Sequence, residues 1–207
     1  MNHAPHILEH LRQRIRELEG HALHAHSAHG SGVPAVDEVL GGLPRPGMVE
    51  VVGKRGTGVT RLALVLAAAA TRRERVAWFD PSQVLYPPTA RHLGVQLQNF
   101  VLVRPPAERA LWSLEQLLRS GCFGLVVAGT GTAVGTSGRL LARAARLGHC
   151  TLLLLQRRHC TALPADLRLQ LDGEQAHVTR SRRGVAGQTV CLPPWPEELH
   201  PWSQPSR

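Results

Sequence analysis

A single lysine, Lys54, stands against 23 arginines in this chain of 207 residues. Long apolar runs are absent too. None approaches the ~20 residues that a membrane-spanning helix needs, and the longest, around Leu62 to Ala70, carries charge on both sides. The N-terminus has early His and Glu and no apolar signal-peptide core, so no export is expected and a cytoplasmic location is. Cysteine is sparse. Cys122, Cys150, Cys160 and Cys191 show no C-x-x-C spacing and read as reduced thiols. No internal repeat is visible.

What is present is a hydrophobic content of 43% and a length that supports one domain with a sizeable core. The net charge of +9 suits a nucleic acid or an acidic protein partner. The same excess of Arg alongside Ala, Leu, Pro and Gly also follows from a GC-rich genome.

Taken in order, residues 6–22 predict a helix. Leu8, Leu11, Ile15, Leu18 and Ala22 recur at spacings of 3 and 4, a narrow apolar stripe flanked by Arg12, Arg14, Arg16, Glu17 and Glu19. It reads equally as a helix packed on its own domain or as one that docks on a partner. His21, His24, His26 and His29 follow among Ala, Ser and Gly. They match no zinc module, and a flexible linker is expected, so that 1–31 is arm and linker. From 32 to 192 apolar strands alternate with amphipathic helices. A short helix over 35–40 precedes a strand at 48–52, a helix at 59–72, strands at 76–80, 100–103, 125–128 and 151–155, and helices at 88–93, 106–119 and 137–147. Ala110, Leu111, Leu114 and Leu118 are assigned to one face. This alternation predicts an α/β fold with a mostly parallel sheet flanked by helices. Leu167–Leu171, Ala176–Arg180 and Gln188–Leu192 read as short strands extending the sheet antiparallel, with Asp172-Gly173 as a hairpin turn. Residues 193–207 are Pro-rich and read as a disordered tail with Trp195 and Trp202.

The most informative stretch is Gly53-Lys54-Arg55-Gly56-Thr57-Gly58-Val59-Thr60. It sits between an apolar strand and an apolar helix, the context of the phosphate-binding loop G-x-x-x-x-G-K-[ST]. The lysine position is Val59. Lys54 lies five positions early.

Four pieces in order resemble the RecA recombinase core: SGVPAVDEVLGGLPRPGMVEVVG, the P-loop frame, WFDPSQVLYPPTARHLGV, and RSGCFGLVVAG followed by TLLLLQ. The short length, N-terminal helix and altered P-loop look most like the ImuA family, which accompanies ImuB and an error-prone polymerase in SOS-type, damage-induced translesion synthesis. The second resemblance is to SulA-type cell-division inhibitors, which bind the tubulin-like division protein.

The resemblance implies four requirements for ATP hydrolysis. The P-loop lysine aligns with Val59, the catalytic glutamate with Ser82, the Walker B aspartate with Gly129, and the adenine-stacking aromatic with Thr89, near Tyr86. Thr60, the magnesium-ligand position, is kept, as is Gln156 at the position of the γ-phosphate-sensing glutamine. Two losses at acid positions are hard to rescue, so a pseudo-ATPase without cofactor or catalytic residues is expected. Weak anion binding at Gly53–Gly58 stays open. No metal site is expected.

For partners, the resemblance implies RecA recombinase and ImuB. The stripe Leu8/Leu11/Ile15/Leu18 is the candidate surface for RecA or for a second copy of this chain, and Trp195 and Trp202 are candidate contacts for ImuB. Arg157, Arg158, Arg180, Arg182 and Arg183 lie near the same end of the chain. They read either as nonspecific contacts to DNA phosphate or as a solvated or partner-facing basic face.

Overall fold

A computed structural model describes residues 27–129, 137–160 and 163–192. The N-terminal arm and the Trp195/Trp202 tail therefore lie outside the described residues. The elements run β1 (Ser27–His29), α1 (Pro34–Leu40), β2 (Leu43–Arg45), β3 (Gly47–Val52), α2 (Val59–Thr71), β4 (Val76–Phe79), α3 (Pro87–His92), β5 (Phe100–Val103), α4 (Ala110–Arg119), β6 (Leu125–Ala128), α5 (Gly138–Leu147), β7 (Thr151–Gln156), β8 (Leu167–Asp172), β9 (Gln175–Ser181) and β10 (Thr189–Cys191).

Eight strands form one sheet in the order β10-β9-β8-β3-β7-β6-β4-β5. Residues of β3, β4, β6 and β7 are buried on both faces, as continuous apolar runs require when helices cover both sides. On one face, Val49, Val51, Trp78, Val127, Leu153 and Leu155 pack against Leu62, Leu66 and Ala67 of α2. On the other, Met48, Phe79, Val126, Leu152 and Leu154 meet Leu114 and Leu118 of α4 and Leu141 and Ala145 of α5. The α/β class with a mostly parallel sheet is as expected.

Three local expectations are corrected. The linker predicted up to residue 31 is partly ordered: Ser27–His29 pairs antiparallel with Leu43–Arg45. Downstream, the Asp37 carboxylate accepts from the N–H of Ser31 at 2.6 Å and of Gly32 at 3.1 Å, pinning the entry to α1. His, Ala and Ser carry no strand period, so the pairing is dictated by the neighbouring strand and not by local pattern.

Second, β8 does not join the sheet antiparallel. It lies parallel to β3, in register Val49↔Leu167 to Val52↔Gln170, and only β9 and β10 are antiparallel. The Asp-Gly turn specifies that β8 pairs with β9; it carries nothing about the other neighbour of β8. Third, Leu111 is not on the buried face of α4. The helix proper starts at Ala110 after a 3₁₀ turn, and the inward face is set by Leu114 and Leu118, leaving Leu111 38% exposed.

Candidate functional site: the loop after β3

β3 delivers its C-terminal end to the loop 53–58, and α2 begins at Val59. Two glycines are required by geometry. A Cβ on Gly53 would lie 2.3 Å from Thr57 Oγ1 and 2.6 Å from Val59 Cγ2, and Gly58 caps α2 in the left-handed region at φ 85°. Thr57 closes the turn internally: its N–H and its hydroxyl both donate to the Lys54 carbonyl, at 3.3 and 2.9 Å. Gly53 N–H donates to the Gln156 carbonyl at 3.1 Å, which hangs the loop from the end of β7.

The loop forms one wall of a cleft of about 280 Å³. Lys54, Arg55, Thr60 and Arg157 bring polar groups, while Trp78, Val84, Leu85 and Leu155 supply apolar surface. Gly129 closes the far side. Its N–H donates to the Phe79 carbonyl at 2.9 Å, and a Cβ placed there would meet that oxygen at 3.2 Å.

Val59 is buried, with its side chain turned against Gly53, and brings no charge to the cleft. Ser82 is exposed in the turn after β4, and Thr89 is exposed on α3; neither lines the cleft. None of the lining residues is a carboxylate. Residues 130–136 and 161–162, outside the described residues, contain no charged side chain. The charge that remains is cationic, on Lys54, Arg55 and Arg157. A magnesium nucleotide held in the RecA manner needs a lysine on the phosphates and an acid behind the metal, and this donor set does not fit it.

The nearest acids have other work. Asp80, at the end of β4, is buried, and its carboxylate accepts from the Val84 and Leu85 N–H groups at 3.0 Å each and pairs with Arg104 at 3.2 Å. Glu50, three residues before the loop, is buried within β3. It pairs with Arg168 of β8 and accepts from the Cys160 N–H at 3.3 Å, while Arg168 also donates to the Cys160 carbonyl at 3.1 Å. The partners are 118 residues apart in sequence. The only signal for them was a lone acid inside an apolar strand and a lone base inside another.

The five arginines grouped in sequence are separated in space, which corrects their reading as one basic cluster. Arg157 and Arg158 follow β7 at the P-loop end of the sheet. Antiparallel β9 carries Arg180 opposite Arg168, halfway along the sheet. Arg182 lies beyond it at the other end, where its N–H donates to the Asp166 carbonyl. Six residues along β3 divide the two ends, roughly 20 Å at ~3.3 Å per residue. Arg182 also pairs with the Asp166 carboxylate at 3.0 Å, beside Arg146 at 3.4 Å.

The profile of the RecA N-terminal domain matches residues 12–141, more than half of the chain. The chain belongs to the RecA N-terminal domain family. Similar full-length relatives include the Protein RecA of Acholeplasma laidlawii, 38% identical over 117 residues, covering 55% of this chain and 35% of that protein. The Protein RecA of Thermus thermophilus is 41% identical over 90 residues (42% and 26%), and that of Streptomyces avermitilis 40% over 101 (47% and 27%). The chain thus spans about a quarter to a third of the length of the RecA proteins it matches. Within the RecA fold, no helix of the described residues is long and apolar enough to cross a membrane.

Proposed function

We propose that this chain is a RecA-like adaptor that does not hydrolyse ATP, resembling ImuA, and that it links RecA recombinase to ImuB and an error-prone polymerase during damage-induced translesion synthesis. The observation that carries this reading is the cleft beside the P-loop. It keeps the glycine frame and three cations, while Val59, Ser82 and Gly129 stand where a RecA-type ATPase needs a lysine and two acids. With no carboxylate on its walls, the cleft has nothing to polarise water or to hold magnesium from behind. Backbone N–H groups of the loop, the start of α2, and Lys54, Arg55 and Arg157 still favour a weakly held anion.

On this reading, the work moves to surfaces. The arm stripe Leu8/Leu11/Ile15/Leu18 contacts RecA, and the tail with Trp195 and Trp202 contacts ImuB. The test is a pair of measurements on the purified full chain. Phosphate release from ATP stays at background and is the same in Thr60→Ala. RecA and ImuB are each captured by the wild-type chain, RecA is lost with Leu11→Asp/Ile15→Asp, and ImuB is lost on deletion of 193–207. Turnover abolished by Thr60→Ala would overturn the pseudo-ATPase reading; capture of the tubulin-like division protein in place of RecA and ImuB would overturn the adaptor role in favour of a SulA-like one.

A further inference from the structure

Helices α4 and α5 lie side by side on the face of the sheet opposite α2, and their outer surfaces leave a groove. It holds about 110 Å³ and is lined by Glu115, Arg119, Leu140, Arg143, Ala144 and Leu147. Trp112 continues it, since Trp112, Glu115 and Arg119 fall on one stripe of α4 at steps of 3 and 4. Its apolar residues are open to solvent: Leu140 is 41% exposed, Leu147 56% and Trp112 60%. Arg119 is paired with Glu115 at 3.2 Å, whereas Arg143 enters no ion pair among the described residues. Solvated Leu and Trp on two adjacent helices mark a surface built to be covered.

We infer that the α4–α5 groove is covered by the chain's own N-terminal helix, residues 6–22, lying parallel to α5. The tether places it there. Ser27, the first described residue, pairs with Arg45, and Arg45 Nε donates to the His149 carbonyl at 3.0 Å. His149 is two residues beyond Leu147, so the described chain starts beside the groove's lower mouth. The five steps from Ala22 to Ser27 extend at most about 18 Å, at 3.3–3.6 Å per step. The end of the helix is thereby held close to Leu147, and the helix must run upward from it.

The spacing then matches. Leu11 and Leu18 are seven residues apart, as are Leu140 and Leu147, each step about 10.5 Å along a helix. Parallel packing sets Leu18 against Leu147, Leu11 against Leu140, and Ile15 between them. Glu17 and Glu19 flank the same half of the stripe and offer Arg143 an acid. The C-terminal tail is a poorer occupant. It leaves β10 at the opposite edge, four strand positions from β7 or about 19 Å, and it is Pro-rich. A short tether raises the local concentration of the arm to the millimolar range, which favours the chain's own groove over a second copy. This inference does not depend on the adaptor reading. Its consequence is that the arm's apolar stripe is covered at rest and must be released before it can meet another protein.

The test uses the full chain with Cys122 and Cys191, both exposed, changed to Ser. Leu11→Cys with Leu140→Cys should oxidise to an intramolecular disulfide, read as monomeric mass under non-reducing conditions. Leu18→Cys with Leu140→Cys should not. A disulfide found only in dimers, or one formed equally by both pairings, overturns the inference. Hydrogen exchange on the otherwise unaltered chain checks it without cysteines. Amides of 6–22 should be protected in the wild type and exchange at least tenfold faster in Leu140→Glu/Leu147→Glu, two surface changes that leave the core intact. Equal exchange in the two proteins also overturns it.

Discussion

Asp80 and Arg104 hold each other at the end of the sheet, with Oδ2 of the acid 3.2 Å from Nη2 of the guanidinium, and Nη2 donates onward to the Leu85 carbonyl at 2.6 Å. The carboxylate is buried, the guanidinium one-third exposed. Together with the Val84 and Leu85 N–H bonds, this pair fixes the turn that forms one lip of the P-loop cleft.

The first prediction concerns that turn. Asp80→Asn removes charge from three hydrogen bonds, and bonds to charged groups are each worth about 1.5–3 kcal/mol. A loss of roughly that size in unfolding free energy is expected by urea denaturation, with phosphate release from ATP still at background. A variant of unchanged stability that alters turnover would mean that Asp80 acts as a reacting acid.

Glu50 and Arg168 provide the second. Removing one member of a buried pair strands the other, at a cost of about 3–5 kcal/mol, whereas exchanging both for apolar residues of similar size is close to neutral. Arg168→Met should therefore destabilise strongly, and Glu50→Leu/Arg168→Met should recover most of the loss. Additive losses in the double-mutant cycle would show that the two side chains act separately.

A third prediction separates the two ends of the sheet. Single-strand affinity against salt falls with a slope of ~0.7 per phosphate contact. Arg157→Ala/Arg158→Ala, beside the cleft, should lower the slope by about two contacts. Arg182→Ala/Arg183→Ala should leave it near wild type, because Arg182 is committed to Asp166. An equal fall in both variants would contradict the separation, and no binding at low salt would remove the DNA contact altogether.

The fourth follows from Cys150. Burial pushes its thiol up from an ordinary value of 9.0 to about 12. The folded chain therefore keeps a proton that the unfolded chain gives up. The contribution is complete below pH 9 and is lost as pH rises from 9 to 12. Tm should fall more steeply across that window in wild type than in Cys150→Ala. Parallel curves would count against a buried neutral thiol. In native protein at pH 8, iodoacetamide should label the exposed Cys122 and Cys191 and spare Cys150.

The strands and helices were legible because each carries its period locally. β6 is apolar throughout, β3 is broken only by Glu50, β7 is apolar from Leu152 to Leu155, and α2 follows directly on a glycine-rich loop. What was not legible depends on partners distant in sequence. Nothing near Ser27 announces its pairing with Arg45, and nothing near Leu167 announces β3. Arg157 and Arg182 stand 25 residues apart, yet an antiparallel return carries the second to the far end of the sheet. At the site, the absence of charge on the lining residues Val59 and Gly129 could be read directly. The engagement of Asp80 with Arg104 and of Glu50 with Arg168 could not, since a carboxylate's availability is settled by what folds against it.

Trp78 and Trp112 divide the chain between two environments. One lines the cleft at 2% exposure, and the other stands 60% exposed on α4 above the groove. With Trp195 and Trp202 replaced by Phe, the emission spectrum would resolve into a blue component from the cleft and a red one from the groove. The protein would then report in one measurement which of its two concave surfaces has been filled, with no attached dye.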